Sequence, residues 1–127
     1  MLLYLLVALG GALGSVARFG LGRWIGAQCG DAFPWGTLLI NVTGSFAIGF
    51  IASLAAGDGR TAPSESTRQF FMTGVLGGYT TFSAFSLQTL QLAQDGAWLR
   101  AGGYVAASVG LCLVAVWVGY ALGRAVR

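Results

Sequence analysis

Cut at its charged residues, the chain falls into four long neutral stretches: 1–17, 32–59 (with only Asp58 near its end), 69–94 and 101–123. A helix needs about 20 apolar residues in a row to cross the hydrocarbon core of a bilayer. The last three stretches have that length, and the first gains it by running on past Arg18 towards Ile25. Composition agrees, with 56% of the 127 residues hydrophobic and 9% charged, against about 25% charged in a soluble domain. The runs are continuous and do not alternate over ~10-residue segments, so spanning helices are expected and a barrel is not. The expected fold is an all-α membrane protein of four transmembrane helices, with spans near 2–25, 34–56, 67–94 and 99–124. Connectors at 28–34, 57–66 and 95–99 leave room for one domain, 1–127. No repeat of 20–50 residues is visible, which sets aside an inverted-repeat transporter within one chain. No Lys or Arg precedes the first apolar run, so it is read as a retained span and not as a cleaved signal peptide.

The net charge of +3 rests on seven arginines and no lysine. A basic balance often points to nucleic acid, but these arginines sit at span ends, where they anchor helices by snorkelling to the interface. The lipid bilayer is the expected partner and nucleic acid is not. With four spans, the amino terminus, second connector and carboxyl terminus share one side, which holds Arg60, Arg68, Arg124 and Arg127. Arg18, Arg23 and Arg100 fall on the other. So even a distribution leaves almost no positive-inside bias, and the chain is expected to insert both ways and pair head to tail. Cys29 in the first connector and Cys112 deep in the fourth span are too far apart for an intrachain bridge, and there is no histidine to join either in a metal or nucleophilic site.

Glycine supplies 21 residues. Small residues let membrane helices approach closely, and Gly10, Gly11, Gly14 and Ser15, like Gly44 and Ser45, read as packing faces. The third span differs. Gly74, Gly77 and Gly78 lead into Tyr79, Thr80 and Thr81, a weak helix interior. Unwinding there would free backbone carbonyls, good cation ligands, at membrane depth; the other reading is a continuous helix with a flexible glycine patch. Phe82 and Phe85 share a helix face, either as core packing or with positive ring edges turned to an anion, and Ser83 continues the hydroxyl-rich run. Thr37, Asn41 and Ser45 recur every four residues on the second span, as do Tyr104, Ser108 and Cys112 on the fourth. These lines are interhelical hydrogen-bond partners, worth ~0.6 kcal/mol each, or a donor track for a small anion.

No Asp, Glu, Lys or His lies in a span interior, so a proton-coupled transporter has no evident relay. Nor is there a nucleophile–base pair, zinc spacing or phosphate loop, and no enzyme activity is expected. Passive conduction survives this elimination.

The segment GVLGGYTTFSAFS at 74–86 resembles the signature of the CrcB/Fluc fluoride channels, a GG-x-TTFS-x-FS pattern in the third helix. GGALGSVAR at 10–18 and GTLLINVTGSF at 36–46 are similar to the family's first- and second-helix motifs. Order, spacing and length agree over nearly the whole chain. The resemblance implies a passive, fluoride-selective channel in the plasma (inner) membrane of a prokaryote, exporting fluoride to lower its cytoplasmic concentration. It implies an antiparallel, dual-topology homodimer with two pores and a structural, untransported sodium ion (Na+) at its centre, held by the backbone carbonyls of Gly77 and Thr80. Phe82 and Phe85 would line the pore with ring edges and Asn41 would donate to fluoride. Tyr104 and Ser108 would continue the polar track, with Thr37 and Ser83 as further pore candidates and Arg18 near a vestibule. Cys112 stands where a hydroxyl residue is frequent, and Ala84 where Thr is. Two rivals remain: an accessory membrane subunit without transport, and a small multidrug-type exporter, which needs an acidic residue that the first span lacks.

Overall fold

A computed structural model of the chain describes residues 1–57 and 63–126; among them all regular structure is helical. The first two spans are α1 (Leu2–Cys29) and α2 (Trp35–Ala55). The third is assembled from α3 (Glu65–Arg68), a π-helical segment (Gln69–Leu76), α4 (Gly77–Tyr79) and α5 (Phe82–Gln94), and the fourth is α6 (Trp98–Ala125). Among the described residues, α1, α2 and α6 are each long and apolar enough to cross a membrane. At 28 residues, α1 and α6 reach about 42 Å, so their ends project beyond a ~30 Å hydrocarbon core. The first helix continues a turn past residue 25 and ends on Cys29, which therefore closes α1 and does not lie in the connector. Gly30 and Gly96, both at φ 74°, stop α1 and α5, in the left-handed region that glycine enters without a Cβ clash. Of the arginines counted for orientation, Arg60 and Arg127 lie outside the described residues.

Two seams hold the spans together, and both depend on glycine. On one, α2 lies against α6. A methyl group on Gly49 would run into the Val116 carbonyl, and one on Gly119 into the Phe46 carbonyl. On the other, α1 lies against the third span. A Cβ on Gly10 would sit 3.0 Å from the Gly74 Cα, and one on Gly14 would strike the Val75 carbonyl. Lipid tails are as apolar as leucine, so membrane helices associate through such close packing and not through hydrophobic transfer. A smaller cluster of Leu38, Phe85 and Tyr104, flanked by Phe33, Val42, Leu92 and Ala107, ties α5 to α2 and α6. Large apolar side chains such as Leu9, Leu13 and Val16 on α1 and Leu113 and Trp117 on α6 face outward, as an apolar solvent allows.

The third span is where backbone and sequence part company. Ser64 caps its start by accepting the Thr67 N–H at 3.2 Å. The wide-turned π segment follows, a rare form that is often found at functional sites. Thr80 (φ −84°, ψ 159°) and Thr81 (φ −154°, ψ 118°) are then extended before α5 begins. Helical geometry lapses over these two residues, yet the joined axis bends by only 16°.

Candidate functional site

The lapse at Thr80 and Thr81 leaves backbone groups that need partners, since an unpaired amide in hydrocarbon costs several kcal/mol. Each end is tied to its own helical segment. Thr80 donates its N–H and its hydroxyl to the Leu76 carbonyl, at 3.0 and 2.9 Å. Thr81 Oγ1 accepts the Ala84 N–H at 3.2 Å, capping α5. The middle is held from α2: Asn41 Oδ1 accepts the Thr81 N–H at 2.8 Å, and Asn41 Nδ2 donates to the Thr81 carbonyl at 3.0 Å. In an unbroken helix that N–H would donate to the Gly77 carbonyl. Diverting it to Asn41 deprives Gly77 of its i+4 donor.

Beside the lapse runs a groove of about 380 Å³ lined by Asn41, Ser45, Gly77, Thr80, Thr81, Phe82, Phe85, Ser108 and Cys112. The two phenylalanines share it, with ring centroids 5.2 Å apart and planes at 52°, but their surroundings differ. Phe85 is 8% exposed and Phe82 77%. Ser108 is buried, and its Oγ has no hydrogen-bond partner among the described residues. Ser83 is exposed, with its Oγ 3.2 Å from Thr81 Oγ1. Among the described residues no group of three or more His, Cys, Asp or Glu could hold a metal.

A second, larger cavity of about 950 Å³ opens towards the connector end and is lined by Arg18, Arg23, Asp31, Thr37, Thr81, Gln88 and Asp95. Thr81 borders both cavities, so they meet at the lapse. The Arg18 Nε is shielded from solvent and has no hydrogen-bond partner among the described residues, while Arg23 lies over the Phe19 ring at 5.7 Å. Tyr104 borders neither cavity. It is fully buried, its ring packed edge-on to Phe33 and tilted against Phe85, and its hydroxyl donates to Gln88 Oε1 at 2.9 Å.

The structure thus brings Asn41, Phe82, Phe85, Ser108, Gly77 and Thr80 to one groove, and Arg18 and Thr37 to the adjoining cavity. Tyr104 stands behind Phe85, and Ser83 lies on the outer surface. Sequence reasoning passed over Thr81 and Gln88. A signal for Gln88 existed: a long uncharged hydrogen-bonding side chain inside a span must find a partner in protein or water. Thr81 gave none beyond its place in the hydroxyl run.

Residues 5–120 match the family model described as CrcB-like protein, Camphor Resistance (CrcB). The chain is 61% identical over 120 residues, 94% of its own length and 91% of the relative's, to a protein of Opitutus terrae named fluoride-specific ion channel FluC. It is 52% identical over 124 residues to one of the same name from Methylocella silvestris, covering 98% of this chain and 95% of the relative. With a third, from Paramagnetospirillum magneticum, identity is 56% over 120 residues, 94% of each chain.

Proposed function

The chain belongs to the CrcB family, and from this we infer that it is a fluoride-selective ion channel, a multi-pass membrane protein that conducts and does not catalyse. The observation that carries the reading is identity of half or more, over nearly the full length, with relatives named as such channels. The geometry is compatible with it. Fluoride is small and strongly hydrated, so a pore must replace its water shell with donors yet hold it weakly enough to release it. Arg18 in the larger cavity would concentrate anions at the entrance. Beyond Thr81 the ion would meet the positive ring edges of Phe82 and Phe85, the Nδ2 hydrogen of Asn41 that Thr81 leaves free, and the unpartnered hydroxyl of Ser108. The amino-terminal end of α5 carries a partial positive charge that favours an anion on the same side. Tyr104 would act from behind, by fixing the tilt of Phe85. Among the described residues no carboxylate, lysine or histidine lines this groove, which suits passive flow that lowers cytoplasmic fluoride without coupling to protons.

The assembly is part of the proposal. We take the working unit to be an antiparallel homodimer, with a structural sodium ion between protomers at the break in the third span. Gly77 is exposed on the subunit surface and lacks its i+4 donor, so its carbonyl is available to a cation shared with a second copy. The Thr80 carbonyl ends the same helical segment, whose carboxyl-terminal end favours a cation. Bound there, sodium would supply a fixed positive charge that neutralises these carbonyls. The high exposure of Phe82 fits a ring that a partner subunit covers.

The test is fluoride efflux from liposomes containing only this protein, read with a fluoride electrode and repeated with chloride. Rapid fluoride release with little chloride release is expected. No release from folded, dimeric protein in sodium would overturn the channel and favour an accessory subunit.

A further inference from the structure

One side chain carries two bonds to the lapse, and peptide geometry gives them a consequence. Asn41 exchanges hydrogen bonds in both directions with the backbone of Thr81, as a residue in an antiparallel sheet does with its partner strand. The Thr81 N–H and the Thr80 carbonyl belong to one planar trans peptide and point in opposite directions within it. Whatever holds the N–H therefore aims the carbonyl. With the N–H held to Asn41 on α2, the Thr80 carbonyl is turned away from α2. The same bond withholds the N–H from Gly77. The other local contacts cannot do this, because the Thr80 hydroxyl and N–H engage Leu76 and Thr81 Oγ1 engages Ala84. None of them touches the peptide between Thr80 and Thr81.

We propose that Asn41 is the positioning residue of the cation site. Its Oδ1 fixes the Thr80–Thr81 peptide so that the Thr80 and Gly77 carbonyls are presented to sodium, while its remaining Nδ2 hydrogen faces the anion groove. The inference rests on the sodium reading above and deepens it: one carboxamide serves both ions, so the cation site and the pore share a structural element. Without Oδ1, the Thr81 N–H is free to return to the Gly77 carbonyl, closing the helix and withdrawing both ligands.

Two variants separate the possibilities in the purified full-length protein. Asn41→Leu has nearly the same shape and neither polar atom. A carboxyl buried at membrane depth stays protonated, so Asn41→Asp keeps an oxygen to accept the Thr81 N–H and an O–H to donate to the Thr81 carbonyl, and loses only the second amide hydrogen, the one for the groove. The measurement is the thermal unfolding midpoint as sodium is titrated against N-methylglucamine, with fluoride flux recorded in parallel. The parent midpoint rises with sodium. Asn41→Leu requires roughly tenfold more sodium for half the rise, the scale of one lost hydrogen bond, and the Cα chemical shifts of Thr80 and Thr81 move from extended towards helical. Asn41→Asp stays within about threefold of the parent in its sodium response, although its fluoride flux falls. A parent-like sodium response in Asn41→Leu, or the two variants shifting together, overturns the positioning role. A parent protein indifferent to sodium removes the sodium reading itself, and the cation role of Asn41 with it. If Asn41→Leu fails to fold, Asn41→Ser, too short to reach Thr81, takes its place with the same expectations.

Discussion

At the scale of single residues, the two phenylalanines of the groove share a chemical type and differ in surroundings. Phe85 is packed against Tyr104 and belongs to the Leu38 cluster, so Phe85→Ile leaves space that its neighbours only partly fill. We expect it to lower subunit stability by about 1–3 kcal/mol and to reduce fluoride flux. Phe82 is largely exposed on the subunit, so Phe82→Ile should reduce flux at least tenfold while shifting stability by no more than about 0.5 kcal/mol and leaving the dimer intact. Flux from liposomes, thermal unfolding and size-exclusion chromatography on both variants check this. Unchanged flux in Phe82→Ile would remove the ring-edge role. The sequence showed which residues could donate or present an edge, because composition and helical spacing suffice for that. It could not show that Asn41 is bound to Thr81, 40 residues away, or that Tyr104 gives its hydroxyl to Gln88. Those pairings depend on how the helices lie against one another, which no local pattern encodes.

At the scale of elements, the charges mark where the long helices end, so the four-helix order could be read from the sequence, and three of those helices are long and apolar enough to cross a membrane. The inner form of the third span could not be read. Glycines and β-branched threonines weaken a helix without specifying what replaces it. The extended pair at Thr80 and Thr81 exists because α2 supplies Asn41 at that height. The π segment of the same span lies against α1, where Gly10 meets Gly74, and no signal of four-residue periodicity distinguishes it from an α-helix. The seam itself is testable. A Cβ at Gly14 would strike the Val75 carbonyl and come within 2.8 Å of the Tyr79 N, and backbone atoms cannot give way as a flexible side chain does. Gly20, on the same helix, has nothing within 4 Å of that position. Gly14→Ala is therefore expected to cost about 1–3 kcal/mol or more and to reduce the yield of folded protein. Gly20→Ala should be neutral or slightly stabilising, through helix propensity. Thermal unfolding of the two in the same detergent decides it, and equal stability would mean that α1 does not lie backbone-tight on the third span.

At the scale of the whole molecule, the sides of the chain are defined but their assignment to membrane faces is not. Arg100 Nη1, in the first turn of α6, donates to the Ala32 carbonyl of the first connector at 3.5 Å, tying the two together on one side. Arg68 and the last turn of α6, with Arg124, belong to the other. Orientation follows the excess of Lys and Arg near span ends, and the seven arginines divide almost evenly. An impermeant thiol reagent applied to cells should therefore label a cysteine appended to the carboxyl terminus, in a background lacking Cys29 and Cys112, in roughly half of the molecules. Placing arginines at Gln94, Ala97 and Leu99 should draw the first and third connectors to the cytoplasm and leave the carboxyl terminus outside, labelled, in nearly all of them. If pairing is head to tail, this biased protein alone has few partners and its fluoride export collapses. Co-expression with a chain biased the other way, by arginines at Ala56, Ser66 and Ala125, should restore it. A biased protein that exports fluoride unaided would instead require parallel pairing or a working monomer, and a cation site shared by inverted copies would then have no symmetry axis on which to form.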